Sequence, residues 1–415
     1  MRRRHLQEGL LRALADTPVV LVNGPRQVGK TTLVRALPGR RYLNLDDATV
    51  LAAARADPVG FIGGLQGPVT LDEVQKAPEL FPAIKAAVDR ARRPGRFLLT
   101  GSTDVLLLPR LSDSLAGRME VLTLWPFSQG ELEGVGEGFV DALFAARRVP
   151  TLPQARMSRR ELIERIVRGG YPEVQRRRAL TRRAAWFESY LTAVIQRDVR
   201  DLAQIDGLTV LPRLLGLLAA RTSATLNVAD LSREAALPQT TLGRYLGLLG
   251  ATFLLQTVPA WSANRTKRLV KSPRVHLSDT GLACHLLDQA PARLDREPQW
   301  LGPLLETFVA LELRKQIAWS RTRPALFHFR TFAGQEVDLL LEDARGRIVG
   351  IEIKAGRTLR SEDFRGLRAL GEAGGDRFLR GVVLYEGEES VALGPRLLAL
   401  PIEGLWRLGT PPSRG

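Results

Sequence analysis

Residues 17–34, TPVVLVNGPRQVGKTTLV, decide how the rest of the chain is read. An apolar, β-branched run ends at Gly24, and a helix-forming run begins at Lys30. Between them GPRQVGKT fills the pattern G-x-x-x-x-G-K-[ST], in the strand–loop–helix setting that its mechanism needs. Gly24 and Gly29 let backbone amides face phosphates, and Lys30 reaches the β- and γ-phosphates. Thr31 offers its hydroxyl to Mg2+, and Thr32 completes the nucleotide-contacting set. The expected cofactors are ATP and Mg2+.

Outward from this loop, apolar strands at 41–45, 68–72, 96–100 and 121–127 alternate with helical stretches. Such alternation predicts an α/β fold with a parallel, doubly wound sheet. The strand PVTLDEVQ (68–75) ends in two acids: Asp72 to hold Mg2+ through water, and Glu73 to orient and activate the attacking water as general base. The strand RFLLTGST (96–103) ends in Thr100 and Ser102, placed to sense the γ-phosphate. Either Arg110 or Arg118 is placed to act in trans as an arginine finger on a neighbour's nucleotide.

The loop GPRQVGKTTL, the strand end LDEVQ, LLTGST and SLAGR together resemble the AAA+ superfamily ATPases of bacteria and archaea that carry a C-terminal domain of unknown function. GGYPEV (169–174), YLTAVIQRDV (190–199) and SPRVHLSDTGL (272–282) match the later part of that family, so the resemblance covers nearly the whole chain. It implies a P-loop AAA+ core over 1–130, a basic helical lid over 131–205, a winged helix-turn-helix over 206–290 and a nuclease-like α/β domain over 291–415. A hydroxyl residue stands where AAA+ sensor strands generally carry asparagine.

Composition sets the outer bounds. The 415 residues are 45% hydrophobic and 25% charged, as in ordinary globular proteins. No apolar run is long enough to span a bilayer, and MRRRHLQEG lacks the apolar stretch of a secretory signal, so a cytoplasmic protein is expected. Cys284 is the single cysteine and forms no internal disulfide. His5, His276, His285 and His328 show no metal-ligand spacing. There are 60 basic against 44 acidic residues, a net charge of +16, which favours a polyanionic partner. Only seven of the basic residues are lysine. Two of those, Lys30 and Lys354, fall inside motifs.

The second motif lies near the C-terminus. GQEVDLLLED (334–343) and RIVGIEIKAG (347–356) read as a hairpin, and strand alternation puts Glu352 and Lys354 on one face. Asp338 falls on the neighbouring strand and Glu306 on a preceding helix. This layout resembles the restriction-endonuclease fold, which includes archaeal junction resolvases. The resemblance implies that Asp338 and Glu352 bind Mg2+ while Lys354 stabilises hydroxide or phosphate charge. Glu306 either joins the metal site or merely faces it. The same fold also serves for binding alone.

In the middle, LNVADLSREAALPQTTLGRYLGLLG (226–250) has the form of a helix-turn-helix. Gln239, Thr240 and Arg244 are expected to face outward, with Leu242, Tyr245 and Leu249 facing the core. The basic stretch Arg265, Lys267, Arg268, Lys271 and Arg274 is the candidate wing on phosphates. Together these features predict a Mg2+-dependent ATPase that remodels DNA, branch migration of Holliday-type junctions included. The partners expected are branched or duplex DNA and further copies of the chain, up to a hexameric ring. Two alternatives are a regulatory ATPase switch acting on a protein partner and an ATP-gated nuclease.

Overall fold

The computed structural model describes residues 2–104, 115–145, 157–202, 208–264, 266, 268, 271–331 and 333–408. Arg110, Arg265 and Lys267 lie outside them. The N-terminal part is a five-stranded, all-parallel sheet of β1 (Val19–Asn23), β2 (Arg41–Asn44), β3 (Val69–Asp72), β4 (Phe97–Thr100) and β5 (Met119–Thr123). The spatial order is β2-β3-β4-β1-β5. β1, β3 and β4 are buried throughout, as near-continuous apolar strands covered by helices on both faces must be. β4 separates the phosphate-loop strand from the strand carrying Asp72. The three chain segments that matter chemically therefore leave the sheet side by side at its C-terminal edge, the edge where open α/β sheets bind ligands.

The middle part is helical. Helices Leu211–Ala220, Val228–Ala235 and Gln239–Ala251 are followed by an antiparallel ribbon of β6 (Leu255–Val258) and β7 (Arg274–Leu277). Ala236, at φ 54°, makes the left-handed corner between the second and third helices. Leu242, Tyr245 and Leu249 are buried, while Gln239, Thr240 and Arg244 are exposed, in keeping with the 3.6-residue pattern. β7 is buried along its whole length. The ribbon leans on the C-terminal sheet through the bridge between Ala260 and His328.

That last sheet has six strands: β8 (Ala325–Arg330), β9 (Glu336–Glu342), β10 (Ile348–Lys354), β11 (Phe378–Tyr385), β12 (Val391–Ala392) and β13 (Leu397–Pro401). Its order is β12-β13-β11-β10-β9-β8. β8, β9 and β10 run antiparallel, whereas β10, β11 and β13 are parallel, linked between β10 and β11 by helix Arg365–Gly374. A Cβ at Gly350 would lie 2.7 Å from the side chains of Leu367 and Leu370, so glycine lets that helix sit against β10. Ile351 and Ile353 belong to the same apolar core as Leu305 and Val309 of the 22-residue helix Pro298–Trp319. This core is continuous from Leu6 to Leu408, so the N-terminal sheet, the middle helices and the C-terminal sheet pack as one body.

Candidate functional site

Gly24 and Gly29 stand at φ 137° and 97°, conformations that suit glycine. A Cβ at Gly24 would lie 2.2 Å from the carbonyl oxygen of Leu124. The loop they shape folds over Lys30, whose buried Nζ donates to the carbonyls of Gly24 and Pro25, each at 2.8 Å. Burial pulls this ammonium down to about 8, although Glu73 opposes the shift. A desolvated cation whose hydrogen-bond acceptors are neutral carbonyls is a receptor for an anion.

Asp72 is buried at the end of β3 and is held by neutral hydroxyls. Thr31 Oγ1 donates to its Oδ2 at 2.8 Å, and Tyr42 and Thr100 donate to it as well. The Asp72 carboxylate and the Thr31 hydroxyl in contact with it are hard oxygen donors of the kind Mg2+ takes, so the residues fit that ion. Glu73 follows in a left-handed conformation, φ 61°, unusual for a non-glycine residue. Its amide donates to Thr100 Oγ1 at 3.0 Å. Gln75 Nε2 donates both to the Glu73 carboxylate and, at 3.0 Å, to Ser102 Oγ. The end of strand β4 and the residues just after it thus supply Thr100 and Ser102 as supports for the acid pair.

The loop opens on a cavity of about 1040 Å³, roomy enough for a nucleotide, which Lys30, Thr31, Thr32 and Glu73 line from one side. Arg176 and Arg177 line the other, both held by Glu173 at 3.2 and 3.1 Å. Arg26, inside the loop, makes a two-pronged bond to Asp198: Nε at 3.0 Å and Nη2 at 2.6 Å. Asp198 sits in the π-helical turn Val194–Val199 of the middle part. A second link runs from the segment that follows β5. The amide of Phe127 donates to Gly170 O at 2.8 Å, the amide of Gly170 donates to Asp279 Oδ2 at 2.7 Å, and Asp279 caps helix Thr280–Leu286. GGYPEV and HLSDTGL, far apart in sequence, are therefore one joint.

Arg118 is not brought to this site. It precedes β5, at the opposite edge of the sheet from the phosphate loop, and its Nη2 bonds Asp89 at 3.1 Å.

The C-terminal acids do come together, but around an arginine. Nη1 of Arg274 lies 3.2 Å from both Glu306 Oε2 and Asp338 Oδ1, and Nη2 lies 3.2 Å from Glu336 Oε2. The other oxygen of Asp338 accepts from the amide of Ile353 at 2.9 Å. Lys354 Nζ is 3.0 Å from Glu352 Oε1, while Glu352 Oε2 is buried without a partner. Burial first, and then the Asp338 charge, push Glu306 up to about 7 and Glu352 up to about 8. Among the described residues no group of three or more His, Cys, Asp or Glu is arranged to hold a metal ion. Asp338 and Glu352, the residues expected to ligate Mg2+, have Arg274 and Lys354 as their neighbouring cations.

Two arginines of the expected wing, Arg268 and Arg274, are engaged within the chain itself. Arg268 is paired with Glu342, Nη2 at 3.1 Å, and lies over the rings of Trp261 and Phe327 at 5.2 and 5.1 Å. Lys271 Nζ reaches the carbonyl of Arg330 at 3.4 Å. Sequence reasoning missed Tyr42, Gln75, Arg26, Asp198 and the inward position of Arg274. Only Gln75, two residues after Glu73, and Arg26, inside the loop, carried a local signal.

The parallel sheet, the phosphate loop and the acid pair at the end of β3 define a P-loop nucleotide-binding protein of the AAA type. Residues 16–133 match the AAA domain family, 159–293 match a domain of unknown function (DUF8612), and 301–405 match another (DUF4143). The chain is 34% identical to "Uncharacterized protein Rv2008c" of Mycobacterium tuberculosis and equally to "Uncharacterized protein Mb2031c" of Mycobacterium bovis. Each alignment spans 99% of this chain and 86% of the relative. The chain belongs to this family of AAA-domain proteins with a C-terminal DUF4143 domain. No described helix is long and apolar enough to cross a membrane.

Proposed function

We propose that the protein is a Mg2+-dependent ATPase working as a nucleotide-driven switch, in which the phosphate loop sets the conformation of the C-terminal two-thirds of the chain. The carrying observation is the Arg26–Asp198 pair, which ties a residue inside the phosphate loop to the π-helical turn Val194–Val199. Thr31 and Asp72 would hold Mg2+, which neutralises phosphate charge when bound. Glu73 accepts a proton from water as its oxygen attacks the γ-phosphorus, and the bond to the bridging oxygen breaks to release ADP. Lys30 leaves its loop carbonyls for the phosphate oxygens and stabilises their developing charge. Thr100 and Ser102 keep the acid pair in place.

The partner in this reading is DNA, met through the exposed Gln239, Thr240 and Arg244 of helix Gln239–Ala251. Remodelling of branched DNA is its finer form, and a protein partner is the rival. The nuclease alternative is not adopted, because Arg274 and Lys354 already neutralise the acids it needs. The test is ATP turnover without DNA, with linear duplex and with a four-way junction, at two salt concentrations. The reading expects stimulation by DNA that fades steeply with salt. Turnover indifferent to every nucleic acid would overturn DNA as partner and leave the ATPase assignment standing.

A further inference from the structure

A second hold on the phosphate loop comes from the N-terminal segment 2–5, which precedes helix Leu6–Asp16. Arg4 is 5% exposed and lines the same cavity as Lys30. Its three guanidinium nitrogens are each engaged. Nη1 donates to Val28 O at 2.7 Å, Nη2 to Trp125 O at 2.6 Å and Nε to Glu131 Oε1 at 3.1 Å. Val28 stands in the loop between Gln27 at φ 62° and Gly29 at φ 97°. A non-glycine residue keeps such a conformation only where its surroundings impose it. The peptide unit joining Val28 to Gly29 is planar, so fixing the Val28 carbonyl fixes the Gly29 amide as well. Glu131 matches the charge of Arg4, so what this arginine offers the loop is geometry.

The groups around Arg4 are in turn held by helix Pro298–Trp319, most of which lies in the region matching DUF4143. The Arg4 guanidinium lies 4.6 Å from the centre of the Phe127 ring, and Lys315 Nζ donates to Phe127 O at 3.0 Å. Two residues on, the Gln129 amide donates to Glu312 Oε2 at 2.9 Å. Glu312 and Lys315 are both buried and pair at 2.6 Å. His5, beside Arg4, packs its ring against Trp319 at the end of that helix, 5.1 Å between centres. The phosphate loop, Arg4, the segment 125–131 and the C-terminal helix thus form one chain of contacts. We infer that Arg4 is a positioning residue of the phosphate loop, and that the C-terminal helix, through Glu312 and Lys315, sets how firmly nucleotide is held there. The inference rests on the loop being a nucleotide site and adds the C-terminal region as its regulator.

The experiment is calorimetric titration of the full chain with Mg2+ and either ADP or a non-hydrolysable ATP analogue, with circular dichroism reporting folding and the thermal midpoint. Arg4→Met should weaken both nucleotides at least about tenfold in a chain still folded at the titration temperature. The double variant Glu312→Gln with Lys315→Met leaves no charge buried alone, and neither residue lines the cavity. It should weaken both nucleotides at least about threefold. A merely structural role would lower the thermal midpoint and leave the affinities as in wild type, and that result for either variant overturns the inference. If Arg4→Met does not fold, Arg4→Lys takes its place: one ammonium cannot meet three separate acceptors, so affinity should still fall at least about threefold. A wild-type chain that binds neither nucleotide would overturn the nucleotide-site reading together with this one. Firm wild-type binding with unchanged variants overturns this one alone.

Discussion

The phosphate-loop site and the C-terminal acid cluster are made from the same parts: acids at the end of a strand, a lysine nearby and an arginine from the middle of the chain. They differ in what holds the acids. Asp72 is gripped by the neutral hydroxyls of Thr31, Tyr42 and Thr100, and Lys30 by neutral carbonyls, so neither charge has been cancelled by the other. Asp338 and Glu352 are gripped by Arg274 and Lys354, cations supplied from within the chain. Neutral donors orient a charged group and leave its field available; a cationic partner orients it and spends that field. The first arrangement opens on a cavity of about 1040 Å³.

The sharpest way to break this contrast is Lys30→Ala. If the lysine is the anion receptor, phosphate release in steady-state assays should fall by about 10³-fold. Gly24→Ala comes next. Its Cβ would meet the Leu124 carbonyl at 2.2 Å, so the loop must shift at a cost of about 3 kcal/mol. A lowered thermal midpoint and lost nucleotide binding are the readouts.

At the other site, pH gives the comparison a sign. Glu352 titrates near 8 in the folded chain, against an ordinary 4.5, because it is buried and then because Asp338 is near. The folded chain therefore keeps a proton that the unfolded chain has lost between those values. That contribution to stability is fully present below pH 4.5 and is lost as pH rises through 8. Glu352→Gln should flatten the decline and be more stable than wild type above pH 8, by about 2 kcal/mol, in denaturation at several pH values. The smallest effect concerns the link between the regions. Asp198→Asn frees Arg26 for phosphate, and nucleotide affinity by fluorescence titration should rise about fivefold.

The N-terminal site was legible because its parts are local. Eight consecutive residues carry the loop, and the apolar strand ending in Asp72 and Glu73 announces itself by position. The parallel sheet followed from the same alternation. What sequence could not show is the choice of partners across long separations. Asp198 lies 172 residues from Arg26, and Asp338 lies 64 from Arg274. Arg268 and Arg274 counted as surface charge in the basic stretch. Yet a planar guanidinium packs against Trp261 and Phe327 or enters a carboxylate cluster as readily as it meets a phosphate. In the structure Glu306 and Asp338 of the motif Glu…Asp…Glu-x-Lys share Arg274, and Glu352 pairs with Lys354. The counter-ion Arg274 comes from another part of the chain.

The central claim is that the phosphate-loop site is a working ATPase with Glu73 as its base. The measurement that tests it most directly is nucleotide binding and single-turnover hydrolysis by Glu73→Gln beside wild type, with and without Mg2+. The account predicts that the variant binds ATP as wild type does and hydrolyses it at least about 10²-fold more slowly, with wild-type turnover dependent on Mg2+. Hydrolysis by Glu73→Gln at the wild-type rate would contradict it.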